Sequence, residues 1–333
     1  MQLNSNFSPP LLLRNCHLMT LLPAIITRGH RLKAHPAEIV TIPVSSDSSI
    51  TAHCHIQPDQ SKTPTLLLVH GLEGSSESSY IVGLAEQALA AGTNVVRINL
   101  RNCGNTLHLT PTLYNAGLSE DIIQGVDWLN RERQLNNFSL VGYSLGGNLV
   151  LKTAAELGKS SSAVSSICAI SPSIDLEAAV TALGQGFNRI YEYNFLMSLK
   201  DKIKKKQKLY PDHYDLRKLV QVKSLKQFDE TYTAPDGGYK NAEDYYRQAS
   251  ALFVLKNIRL PTLIIAAQDD PLVPFESFHG IETRYISLLA PKYGGHAAFI
   301  QRRQKKSDGK PIEEIFWTDH RVISFCLENT NNA

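Results

Sequence analysis

The pentapeptide Gly142-Tyr143-Ser144-Leu145-Gly146 sets a hydroxyl nucleophile between two residues without side chains. Such a serine can attack a carbonyl carbon if a base takes its proton and hydrogen-bond donors hold the oxygen that becomes negative. Alone the pattern is weak, since G-x-S-x-G arises by chance in roughly one chain in ten of this length. Its flanks strengthen it. Phe138-Ser-Leu-Val141 reads as a short buried strand, and Leu145 to Leu157 as a helix that Gly158 ends. A serine squeezed into a strand-to-helix turn is a nucleophile elbow. The turn strains the serine backbone and leaves no room for side chains two residues to either side. It also points a helix N-terminus at the developing oxyanion.

An elbow serine needs a base, an orienting carboxylate and an oxyanion hole, and in such sites the chain order is serine, acid, histidine. Of eleven histidines, His279, His296 and His320 follow a suitable acid. His296 sits in Tyr293-Gly294-Gly295-His296, a turn expected to be flexible and to lie just beyond the last strand. An imidazole there can hang over the sheet edge. His279 falls in an expected short helix and His320 near the start of the closing helix, so both read as surface or helix-end residues. The acid belongs at the end of the strand Thr262–Ala267, where Gln268-Asp269-Asp270-Pro271 stands. Asp270 is the expected partner of His296, and Asp269 reads as a turn residue. His70-Gly71-Leu72 follows the strand Thr65–Val69, so the expected oxyanion donors are the N–H groups of Leu72 and Leu145. His70 precedes the serine and reads as a brace for its loop.

These residues need a scaffold, and the pattern around them supplies one. Glu38–Ile42 and Ile50–Ile56 read as a strand pair, followed by strands at Thr65–Val69 and Asn94–Leu100 and helices near Ser79–Ala91 and Gly117–Arg131. Further strands are expected at Val164–Ile170, Pro261–Ala267 and Arg284–Leu289, with a closing helix near Asp319–Leu327. Repeated strand and helix predict an α/β fold with a mostly parallel sheet and helices on both faces. Residues 172–250 hold no strand pattern and are too long for a loop. They are expected to form a helical cap over the C-terminal edge of the sheet, inside a single domain spanning 1–333 with an N-terminal arm at 1–36.

Composition narrows the partners. A net charge of +3 with no basic stripe among aromatics argues against nucleic acid. Five cysteines, odd in number and without C-x-x-C, fit free thiols in a reducing compartment. No metal motif and no G-x-G-x-x-G occurs, so neither metal nor cofactor is expected. Leu11–Ile26 is broken by Arg14, Asn15, His17 and Pro23, which fits a packed arm better than an export signal or a membrane span. The expected location is the cytoplasm. The run Lys202–Lys208 is a candidate for transient contact with phospholipid head groups, but reads first as a solvated face.

Several segments together resemble the YheT branch of the α/β-hydrolases, related to abhydrolase-domain lipases and yeast ethyl-ester synthase/esterases. They are Arg14-Asn-Cys-His-Leu-Met-Thr20, similar to that branch's Asn-x-His-Leu-Gln-Thr arm; His70-Gly-Leu-Glu-Gly74; and Asn99-Leu-Arg-Asn-Cys-Gly104. Phe228-Asp229-x-x-Tyr232-Thr-Ala-Pro235 adds the most specific match, with Gly238-Tyr239, Asp244-Tyr-Tyr246 and Pro261–Ile265 after it. Met19 stands where glutamine is usual, and Asn102 where many relatives have glycine. The resemblance implies the α/β-hydrolase fold and a carboxylic-ester hydrolase with triad Ser144, Asp270 and His296. Its implied substrates are small lipophilic short- to medium-chain acyl esters. A thioesterase or an alcohol acyltransferase on the same triad is the alternative within the class. A binding protein that kept the fold without the activity is the alternative outside it.

Overall fold

The computed structural model describes residues 7–158, 163–297, 299–302 and 315–330, so the first six residues of the expected arm lie outside the described residues. Eight strands form one sheet in the order β1-β2-β4-β3-β5-β6-β7-β8: β1 Glu38–Pro43, β2 Ser49–His55, β3 Pro64–Val69, β4 Asn94–Asn99, β5 Asn136–Tyr143, β6 Val164–Ile170, β7 Thr262–Ile265 and β8 Ile286–Leu289. The pairs β1–β2 and β2–β4 are antiparallel, and every other pairing is parallel. The central runs are apolar on consecutive residues rather than alternate ones because both faces are covered. On one face, Leu67, Val69, Leu140 and Ile167 pack in a cluster with Leu149 and Val150. On the other, Leu66, Leu68, Val141 and Cys168 pack with Ile81, Leu84 and Val322.

Helices α1 Cys16–Ile25, α2 Ser79–Ala90, α3 Ser119–Arg133 and α4 Leu145–Leu157 fall in the first half. The segment between β6 and β7 carries α5 Leu176–Leu183, α6 Arg189–Leu209, α7 Leu216–Leu219, α8 Leu225–Phe228, α9 Ala234–Asp236 and α10 Ala242–Ala249, with no strand; α11 Trp317–Thr330 closes the chain.

The long helix α6 departs from the sequence reading. Its inner stripe is Tyr191, Glu192, Leu196, Leu199, Lys202, Ile203 and Lys206, all buried. The spacing is helical, but three positions, Glu192, Lys202 and Lys206, are charged residue types, so the apolar period is disguised. The lysine run is therefore only partly a solvated face. Lys202 Nζ reaches Glu73 Oε1 at 2.5 Å, and Lys206 Nζ donates to Asn102 Oδ1 at 2.8 Å and to the carbonyl of Thr110 at 2.6 Å. Burial pulls the Lys206 ammonium down to about 8. Asn102, at φ +62°, adopts the left-handed backbone that makes glycine usual there, and its amide is what receives Lys206.

Candidate active site

Strand β5 runs into α4 through Ser144, whose φ of +54° and ψ of −119° lie where non-glycine residues are rarely found. The turn survives because its neighbours are glycine. A Cβ on Gly142 would stand 2.2 Å from the carbonyl oxygen of Gly146, and one on Gly146 would stand 2.4 Å from that of His70. The Ser144 N–H donates to Ile170 O at 2.9 Å, which pins the elbow to β6. Leu145 is the first residue of α4, so its N–H has no acceptor within the helix.

The loop after β3 lies against this turn, with the Cβ position of Gly71 only 3.1 Å from Ser144 Cβ. His70 braces that loop as expected. Its Nδ1 donates to Gly71 O at 2.8 Å, and its Nε2 accepts from Leu100 N–H at 3.2 Å. Complete burial pulls this imidazole down to about 4, and both of its ring nitrogens are engaged by backbone groups, of Gly71 and Leu100. Glu73, at φ +54°, ends the same loop; its carboxylate accepts from Tyr114 and is held by Ser198 and Lys202 of α6. Among the described residues the Leu72 N–H meets no acceptor.

Beyond β7, Asp270 Oδ2 lies 2.9 Å and Oδ1 3.2 Å from His296 Nδ1. Asp270 Oδ1 also accepts from the N–H groups of Leu272 and Val273, at 2.9 and 3.1 Å. Asp270 thus both caps its own turn and faces the imidazole. Asp269 has a different task from the turn role expected of it. Its Oδ1 accepts from Gly295 N–H at 3.0 Å and so anchors the loop that carries His296. Burial first, and then the charge of Asp270, push its carboxyl up. His279 and His320 stay away from this arrangement, one at the end of a short 3-10 turn and the other in α11.

The His296 loop is tied to the body of the protein at several points. Gly295, Ala297 and Phe299 all have positive φ, at +56°, +63° and +47°. Three segments distant in the chain fix it. Asp269 takes Gly295, Ser171 Oγ accepts from Ala297 N–H at 3.1 Å, and Thr20 Oγ1 accepts from His296 N–H at 2.9 Å. Thr20 in turn donates to Cys16 O at 2.7 Å. Buried Met19 lies beside it, so close that a Cβ on Gly295 would be 3.0 Å from its own Cβ. Met19, a departure from the family pattern, therefore touches the loop next to the candidate base. The arm motif becomes legible in this light. Asn15 caps α1 by accepting from His17 and Leu18 N–H, His17 meets the Tyr191 hydroxyl at 3.2 Å, and Thr20 reaches His296. Sequence reasoning found the motif without its purpose, and it missed Ser171 and Glu73 as supports.

Ser144 and His296 line one cavity of about 90 Å³, shared with Leu72 and Leu145 and walled by Leu176, Val180, Leu183, Phe195, Leu199 and Leu225. Among the described residues no hydrogen bond joins Ser144 to His296; such contacts are often loose until substrate is bound. Asp229 adds a carboxyl to the wall. It accepts from Tyr246 at 2.8 Å and opens the π-helical turn Asp229–Thr233, and burial pushes it up to about 6. Larger clefts lie elsewhere, such as that of about 690 Å³ beside Glu77 and Lys205, and neither Ser144 nor His296 lines it. No group of three or more potential metal ligands occurs among the described residues.

The family described as alpha/beta hydrolase fold matches residues 64–279, more than half of the chain. The protein belongs to the α/β-hydrolases. Within that family, it is 32% identical over 330 residues to "Putative esterase YheT" of Escherichia coli, an alignment spanning 96% of this chain and 92% of the relative. It is 29% identical to the medium-chain fatty acid ethyl ester synthase/esterase 2 of Saccharomyces cerevisiae, over 76% of this chain but only 62% of the yeast protein. Among solved α/β structures, the Pyrococcus furiosus esterase Pf2001 superposes with a TM-score of 0.60 at 16% identity, covering 97% of this chain and 98% of that one. That likeness speaks for the fold.

Proposed function

We propose that the protein is a serine carboxylic-ester hydrolase acting on lipophilic short- to medium-chain acyl esters through an acyl-enzyme. In this reading Ser144 Oγ attacks the ester carbonyl carbon and gives its proton to His296 Nε2. The Leu72 and Leu145 N–H groups hold the oxyanion. Collapse expels the alcohol, which takes that proton, and water then repeats the sequence to release the acid. The observation that carries the reading is the Asp270–His296 pair opening onto the cavity that also holds the strained Ser144. The names of the Escherichia coli and yeast relatives support an ester as substrate. The insertion between β6 and β7 acts as the acyl-binding cap of a single domain. A fluorophosphonate probe should label the purified protein at Ser144, as read by peptide mass. Failure to label would remove the assignment.

The apolar walls make chain length the first specificity test. Each CH₂ buried contributes up to about 0.8 kcal/mol, or roughly fourfold in kcat/KM. The cavity of about 90 Å³ is small beside typical ligand pockets of about 300–1,000 Å³. For p-nitrophenyl esters below their micelle concentrations, kcat/KM is therefore expected to rise from acetyl over the first few carbons and then level. A flat or falling profile from acetyl onward would replace the lipophilic ester with a small or polar one.

Thr20 acts as a positioning residue through His296. Thr20→Val keeps the shape but leaves the His296 N–H without its acceptor. Misplacing the base lowers kcat by roughly 10- to 100-fold with little change in KM, and Thr20→Ser should restore it. Equal losses in both variants, or a change confined to KM, would show that Thr20 only stabilises the arm.

A further inference from the structure

Helix α6 is apolar where solvent would be expected. Its inner side, through Phe195 and Leu199, walls the cavity. On its outer side Ile190, Tyr193 and Met197 are exposed, Tyr193 by 63%. The same stripe continues through exposed Asp201, which pairs with Lys205 at 2.7 Å, to exposed Lys204 and Lys208. The stripe thus runs from apolar to a lysine-rich end, with one acidic side chain between that is already matched by a lysine.

The N-terminal arm extends the apolar end. Leu11 and Leu12 are exposed by 67% and 80%, and Leu18 and Leu21 are exposed on α1. The two surfaces meet at His17, whose ring lies 4.4 Å from that of exposed Phe187 just before α6. Leu21 follows His17 by one helical turn and so shares its face. Most of the exposed large hydrophobic residues among those described lie on the arm or on α6 and the turn before it, which touch through His17. Arg14 and Arg189 are exposed beside them.

We propose that this surface docks the protein on an anionic lipid bilayer. Apolar side chains rimmed by Lys and Arg complement a layer whose acyl region lies beneath negative head groups. An isologous dimer through the patch would instead gather Arg189 and the lysines of two copies into one interface, like charge against like. No helix among the described residues is long and apolar enough to cross a membrane, so the attachment is peripheral. Because α6 presents one side to the bilayer and the other to the cavity, a docked protein holds the candidate site within a helix diameter of the lipid.

The test is flotation of the full-length protein with phosphatidylcholine vesicles, with and without phosphatidylglycerol. It reads binding directly, so it stands or falls apart from the esterase assignment. Binding is expected only with phosphatidylglycerol and should weaken with salt. Lys204→Glu/Lys208→Glu should reduce it by at least about tenfold, and Leu18→Ser/Leu21→Ser/Ile190→Ser/Met197→Ser should abolish it. Hydrolysis of a soluble short-chain ester should be unchanged in both variants, which also reports that they are folded. No flotation of the parent protein, or flotation indifferent to the lysine pair, would overturn the proposal. So would a parent dimer that the apolar variant converts to monomer in sedimentation velocity.

Discussion

Ser144→Ala is expected to lower ester hydrolysis by about 10⁴- to 10⁶-fold while the protein remains folded. The size follows from the serine's place in a relay. Without Oγ there is no acyl-enzyme, and His296 and Asp270 have no proton to move. Folding should survive because the constraint at 144 is a backbone one. The φ of +54° is imposed by β5, α4 and the close approach of the His70 carbonyl to Gly146, none of which involves the hydroxyl. Alanine meets the same strain as serine. Turnover of a p-nitrophenyl ester and the far-ultraviolet circular dichroism spectrum together check this. Near-parental turnover in a folded variant would take the nucleophile away from the elbow.

Asp270→Asn should cost about 10³- to 10⁴-fold in kcat with little change in KM. The turn decides how the new amide sits. Leu272 and Val273 N–H both donate to Oδ1, so the amide oxygen must remain there and its NH₂ must face His296 Nδ1. Nδ1 then becomes an acceptor, the imidazole carries its proton on Nε2, and it cannot take one from Ser144. Asp269→Asn should cost far less, about tenfold or below, because its Oδ1 can still accept from Gly295 N–H. A loss of stability is the more natural result there. If the two variants exchanged their effects in steady-state kinetics, the acid would be Asp269.

Much of the scaffold was legible because it rests on local rules. The helix at Leu145–Leu157 and the strand at Val164–Ile170 have the bounds expected of them, since a continuous apolar run or a helical period ended by a turn carries its own boundaries. The elbow was legible for a steric reason. Only glycine fits at 142 and 146, where a Cβ would come within 2.5 Å of other backbone. Helix α6 was not legible, because buried Lys202 and Lys206 stand where apolar residues would have revealed the period. Those lysines are tolerated inside only because Glu73, Asn102 and the Thr110 carbonyl meet them. The partners lie about a hundred residues away in the chain, beyond any local pattern.

By itself the sequence determined the kind of molecule: an α/β sheet, a serine at a strand-to-helix turn, and a histidine and an aspartate after it in the right order. These follow from side-chain period, turn sterics and chain order, which act over a few residues at a time. The sequence favoured Asp270 over Asp269 as the partner of His296, but only the tertiary structure showed Asp269 holding Gly295 while Asp270 faces the imidazole. The tertiary structure alone brought Thr20 across 276 positions of chain to the His296 N–H. Neighbours in sequence such as Asp269 and Asp270 differ only in direction, and direction is set by what packs around them. A hydrogen bond to a residue hundreds of positions away exists only once the whole sheet has placed both ends.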